Sequence, residues 1–174
     1  MDDLRYPVGK FTPPSAYGPE GRQAFIREIA ALPVNLRAAV AGLTPEQIQH
    51  PYRDEGWSVA QVVHHLADSH LNAFARFKLA LTEDNPRIKP YDQDAWAALA
   101  DGRTAEAEAS LSLVEGLHSR WIVLLGGLGR GDWARTMDHP ERGKITLDYT
   151  LELYSWHCRH HVAHITGLRQ RKGW

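Results

Sequence analysis

The chain has one cysteine, Cys158, so no disulfide can form within it, and a reducing, cytoplasmic setting is expected. Long apolar runs are missing too. The longest, about 121–128, is broken by Gly126 and Gly127 and falls far short of the roughly 20 residues a membrane-spanning helix needs. The first ten residues, MDDLRYPVGK, contain no apolar core, so no secretory signal is expected. Neither sign of charge is in excess. A formal net charge of -1 provides no broad basic face, which excludes nucleic acid as the main partner. Internal repeats and low-complexity tracts are also absent, and 174 residues with 43% hydrophobic content suit one domain spanning 1–174.

What is present is helical periodicity. Residues 1–19 carry Pro7, Pro13, Pro14 and Pro19 and read as an extended N-terminal arm. A first helix is expected over about 21–41, with Pro33 kinking or interrupting it. Thr44-Pro45-Glu46-Gln47 has the form of a capping box opening a short helix. Ser58 caps a second long helix to about Thr82, striped by Val59, Val62, Val63, Leu66, Phe74 and Phe77. A short helical piece follows over 94–99. Thr104 is expected to open the third long helix, which glycines end near 126–131. Residues 132–145 read as a loop or small hairpin, and the fourth long helix runs from about Thr146 to Arg171. Four long amphipathic helices with short extra ones predict an all-α four-helix bundle, an architecture that builds metal sites from side chains on facing helices.

Histidine is distributed unevenly. Four of the ten fall at 157, 160, 161 and 164, and imidazole is the commonest metal ligand. Residues four apart lie one turn above each other on one helix face. At about 100° per residue, His161 falls inside the apolar stripe, His157 and His164 on one flank, and His160 well away from it. Phase therefore favours His157 with His161, or His161 with His164. Two imidazoles do not complete a site, and a third must come from another helix. On the second helix, phase picks His70 near the stripe centre, leaves His65 on a flank and turns His64 towards solvent, so the residues alone do not decide. Cys158, at the centre of the stripe, reads as a small buried hydrophobe rather than a nucleophile. The zinc-protease pattern HExxH, the phosphate loop GxxxxGK[ST] and the nucleophile elbow GxSxG do not occur.

Two long blocks, PYRDEGWSVAQVVHHLADSHLNAFARFKLALTEDNPRIKPYDQDAW at 51–96 and LYSWHCRHHVAHITGLRQRKGW at 153–174, resemble the DinB-like superfamily of helical bundles, in its YfiT branch. The resemblance runs from Tyr6 to Trp174. It implies one divalent metal ion per subunit, zinc first and nickel second, held by His65, His157 and His161. It makes His70, His164 and His118 core or ligand-orienting groups. It also implies a cytoplasmic homodimer acting on a small molecule, described for relatives either as a metal-dependent hydrolase or as an S-transferase using the thiol bacillithiol.

Three neutral imidazoles leave an ion its full charge and at least one open position, for a water or a thiol. Hydrolytic zinc sites usually keep a carboxylate as general base. No Glu falls between His157 and His161, and Asp68 points outward by phase and reads as a salt-bridged surface residue. A thiol transferase needs such a base less, so activation of a thiol cosubstrate is the favoured expectation. A water-using hydrolase comes second and a non-catalytic metal-binding stress protein third. Arg53, Arg76, Arg159 and Tyr91 are candidates to hold a carboxylate-bearing thiol, each equally readable as a surface or packing residue.

Overall fold

Pro19 at its first turn opens α1 (Pro19–Val40), where a missing N–H costs nothing. A computed structural model describes residues 4–14 and 16–174. The expected interruption at Pro33 does not occur, and α1 runs through it unbroken. Proline at this position frees the carbonyl of Ile29 four residues earlier, and His118 Nδ1 lies 2.7 Å from that oxygen. A side chain from another helix thus takes the place of the lost backbone donor.

The predicted capping box and the predicted Ser58 cap both form, the latter also as a capping box. In α2 (Pro45–Ile48) Thr44 and Gln47 satisfy each other's backbone N–H. In α3 (Val59–Thr82) Ser58 and Gln61 do the same, at 2.9 and 3.2 Å. Two short helices follow, α4 (Gln93–Ala97) and α5 (Ala100–Thr104). Thr104 closes α5 instead of opening the third long helix. Its hydroxyl donates back to the Ala100 carbonyl at 2.8 Å, so it is not free to cap, and α6 (Ala107–Gly126) starts three residues later. The α5–α6 connection also covers one side of α3. His64 is therefore buried, with Ser110 Oγ at 2.8 Å and the Ala105 carbonyl at 3.2 Å, and not solvated as its phase predicts.

The expected loop or hairpin is a two-stranded antiparallel hairpin, β1 (Thr136–His139) and β2 (Gly143–Thr146), paired from Thr136↔Thr146 to His139↔Gly143. Thr146 accepts from Tyr149 N and starts α7 (Leu147–Lys172), which Gly173 ends at φ +69°. No helix among the described residues is long and apolar enough to cross a membrane.

The long helices form a ring: α1 packs on α6 and α7, and α3 packs on the same two. The consecutive helices α1 and α3 thus lie on one diagonal and α6 and α7 on the other. Trp121, Phe77, Ile29, Leu36, Leu66 and Leu151 fill the middle, each fully buried. Near its C-terminus α7 reaches back to α1, where Arg169 donates to the carbonyls of Ala39 and Ala41 at 2.8 and 3.0 Å. At the other end Arg22 forks onto the buried Asp148 at 2.6 and 2.8 Å. Arg22→Met removes the cation and leaves a desolvated carboxylate, so a loss of about 3 kcal/mol is expected in denaturant unfolding. A loss under about 0.5 kcal/mol would show that the pair is solvent-screened.

The N-terminal arm lies along the outside of α7. Trp156 Nε1 donates to the Gly9 carbonyl at 3.1 Å, and Phe11 packs edge-on against Tyr149. Gly9, at φ +78°, turns the arm and donates its N–H to Tyr6 O. This turn brings Tyr6 towards His160 and the Arg5 carbonyl within 3.3 Å of His164 Nε2.

Candidate metal centre

Because α3 and α7 are neighbours in the ring, His65 faces His157 across their contact. Their Nε2 atoms are 3.2 Å apart. His161, one turn along α7, completes the group, with one ligand atom from each ring lying within 4.8 Å of the others. Two imidazole nitrogens on a tetrahedral ion at about 2.0–2.1 Å stand roughly 3.3 Å apart. The His65–His157 spacing matches that separation, so the residues present fit a zinc-like ion. Without an ion the same two atoms can share an N–H···N hydrogen bond, the donor set by the tautomers. Among the described residues no carboxylate or thiol joins the three imidazoles.

His70, which helical phase favours, stands elsewhere. It is fully buried and uses both nitrogens on other imidazoles: Nδ1 lies 3.0 Å from His118 Nε2, and Nε2 lies 3.2 Å from His157 Nδ1. His164 similarly sits behind His161, with their Nδ1 atoms 3.3 Å apart. His160, His161 and His164 form a second close group that shares His161.

Burial sets the charge state of the ligand candidates. Desolvation, followed by repulsion from neighbouring imidazoles, holds His157 and His161 well below the usual histidine range. It pushes His65 down to about 4. All three are neutral near pH 7, the form that can donate a lone pair to a cation.

The site opens into a cavity of about 760 Å³. Three irregular segments form its walls. The turn at 51–58 carries Trp57, whose ring lies 4.7 Å from that of His65 and whose Nε1 donates to Asp94 at 3.1 Å. That turn is tight: a Cβ on Gly56 would fall 2.7 Å from Arg53 Cγ, so glycine is required. The segment before α4 contributes Tyr91, whose hydroxyl burial pushes up to about 12. The hairpin brings His139 and Arg142. Its edge is fastened to residues 86–88 by Ile88 N–H to Asp138 O at 3.0 Å and Asp138 N–H to Pro86 O at 2.9 Å.

Arg53 and Arg76 line this cavity, hydrogen-bonded to Asp54 O and Lys89 O respectively and held by no ion pair among those described. Arg159 does not line it. It pairs with Glu28 on the side of α7 that faces α1. Cys158 is buried, and its thiol is pushed well above the usual range, which makes it a packing residue. Asp68 is half-buried with no ion pair among the described residues, contrary to the expectation of a salt-bridged surface residue, and desolvation raises its pKa. Trp57, His139, Arg142 and the Tyr154–Ser69 pair escape sequence reasoning. Trp57, His139 and Arg142 reach the cavity through turns and a hairpin that carry no periodic signal, whereas Ser69 and Tyr154 lie on α3 and α7, where periodicity reports burial but not a cavity.

Comparison with known proteins gives one answer throughout. Residues 28–165 match the DinB superfamily family model. A protein of Geobacillus thermodenitrificans named "Putative metal-dependent hydrolase" is 51% identical over 176 residues, covering 100% of this chain and 98% of that one. One of Bacillus cereus with the same name is 48% identical, covering 100% of both. The solved structure of YfiT from Bacillus subtilis superposes with a TM-score of 0.95 at 46% identity, covering 98% of each chain. It is described as "a probable metal-dependent hydrolase with an unusual four-helix bundle topology". On these matches, the chain belongs to the DinB superfamily, in its YfiT-like branch.

Proposed function

We propose that this protein is a metal-dependent enzyme whose divalent ion, zinc first, is held by His65, His157 and His161, and that it activates a low-molecular-weight thiol for transfer to electrophilic small molecules. One observation carries the choice of a thiol: the candidate ligand group contains three imidazoles and no carboxylate to serve as general base. When bound, such an ion lowers the pKa of a thiol or a water held in its remaining position. The chain's own residues do the rest. Trp57 packs against His65 and shields one side of the site from water. Arg53 and Arg76 supply guanidinium groups to carboxylates on an incoming thiol. The absence of a fourth protein ligand in the group favours an enzyme over a structural ion.

The second reading is a hydrolase that activates water in the same place. The names carried by relatives at 48% and 51% identity favour it. A homodimeric, cytoplasmic assembly rests on the family resemblance.

Isothermal titration of the zinc-loaded protein with N-acetylcysteine tests the choice. Saturable binding with proton release, lost in His161→Ala, is the expected result. A fully metallated protein that binds no thiol but cleaves p-nitrophenyl acetate would establish the hydrolase instead.

A further inference from the structure

The candidate ligands on α7 are backed by other histidines, and each line of rings ends on a backbone carbonyl. A carbonyl can only accept, and a neutral imidazole has one donor nitrogen and one acceptor nitrogen. These two facts fix the position of every proton in both lines.

The first line begins at Ile29, whose carbonyl Pro33 has freed. His118 Nδ1, 2.7 Å away, must carry the proton. His118 Nε2 is then an acceptor, so its partner at 3.0 Å, His70 Nδ1, donates. His70 Nε2 accepts in turn from His157 Nδ1 at 3.2 Å. The lone pair of His157 is left on Nε2, the atom that faces His65. The second line begins at the Arg5 carbonyl in the N-terminal arm. His164 Nε2 donates to it at 3.3 Å, so His164 Nδ1 accepts from His161 Nδ1 at 3.3 Å, and His161 keeps its lone pair on Nε2.

We infer that two carbonyl-anchored imidazole relays, Ile29–His118–His70–His157 and Arg5–His164–His161, preset both α7 ligands as Nδ1–H tautomers before any metal arrives. His70, His118 and His164 are positioning residues, and Pro33 acts through the carbonyl it releases. The relays have a fixed direction, because reversing either would require a carbonyl to donate. A carboxylate behind a ligand draws its proton away and gives the ring imidazolate character, whereas these rings only hold the proton in place. Both ligands thus remain neutral and the ion keeps its full charge. On this account the close His161–His164 approach is a hydrogen bond and not half of a second metal site.

The inference rests on the three-histidine reading of the site, but its first test needs no metal. Long-range ¹H–¹⁵N correlation of the metal-free protein, uniformly ¹⁵N-labelled, reports which nitrogen of each ring is protonated. The expected result is Nδ1–H for His118, His70, His157 and His161, and Nε2–H for His164. A proton on Nε2 of His157 or His161 would overturn the proposal even if metal binding proves correct. Failure to bind zinc with the expected tautomers present would instead sink the site reading alone.

Variants give the second test. His118→Phe removes the link and should lower zinc affinity about tenfold, and His70→Phe between about ten- and a hundredfold. His118→Gln keeps a donor for Ile29 and an acceptor for His70 and should restore both affinity and the His157 tautomer. Equal affinity in His118→Phe and wild type, or loss in His118→Gln equal to that in His118→Phe, would show that the rings merely fill space. Binding of two zinc ions per chain would overturn the Arg5–His164–His161 relay.

Discussion

His161→Ala should lower zinc affinity by a hundredfold or more while leaving the fold intact. Complete structural zinc sites in small peptides are worth about 10–16 kcal/mol at pH 7, so one ligand among three or four contributes roughly 3 kcal/mol. The alanine also removes the central ring of the cluster, which stands between His157 and His164. His160→Ala is the informative partner. His160 is adjacent in sequence and buried, but among the described residues its Nδ1 has no hydrogen-bond partner and it belongs only to the second close group. It should leave affinity within about twofold of wild type, since it supplies no ligand. Competition against a chromophoric chelator measures both. Wild-type affinity in His161→Ala would eliminate the three-histidine site, and a large loss in His160→Ala would move the ion to the neighbouring group.

Removing the metal should make the protein acid-labile well above the pH at which ordinary small domains unfold. The desolvated histidines decide this. Burial holds His65, His118 and His164 at about 4 and His160 at about 3, with His70, His157 and His161 also depressed. In the unfolded chain each returns to about 6.5. The folded pKa is the lower one, so the unfolded state binds more protons in between. The stability these groups contribute is complete above pH 6.5 and falls as pH drops from there towards 4. The slope is about 1.4 kcal/mol per pH unit for each proton taken up. Several groups titrating together exhaust a typical stability of about 5–15 kcal/mol within one to two pH units. Metal-free protein should therefore unfold cooperatively near pH 5, and zinc should shift that midpoint downward. Urea titrations at pH 7.5, 6.5 and 5.5 measure the slope. A midpoint that does not change across this range would mean the histidines reach water in the folded state.

Much of this was legible before any coordinates. The helices α3 and α7 announce themselves through Ser58, through Thr146, and through apolar stripes, because capping and burial are local and periodic. The pairing of His157 with His161 belongs to the same class, since two residues four apart on one helix cannot avoid sharing a face. The partner on α3 was not legible from phase. Periodicity reports how deeply a residue is buried, and His70 is indeed the deepest. A metal ligand, however, must meet its fellow ligands rather than the core centre, and the candidate His65 does so through His157, which lines the cavity. That meeting is created by contact between helices far apart in sequence, so phase on one helix cannot report it, and the choice of His65 rests on the family resemblance. The interruption expected at Pro33 and the solvated His64 fail for a related reason. Each was judged on its own helix, while the outcome depended on His118 from α6 in one case and Ser110 with Ala105 in the other.

The arm along α7 has a consequence for the order of assembly. The Arg5–His164 contact joins residues 159 apart, and His65 meets His157 across 92. Ribosomes make chains from the N-terminus at about 5–20 residues per second. The arm thus emerges before α7 yet finds its seat only after α7 has folded. Until then α3 and its histidine wait beside an open groove, with no partner across it. Assembly of the three-histidine group accordingly waits for α7, the last of the four long helices to be made.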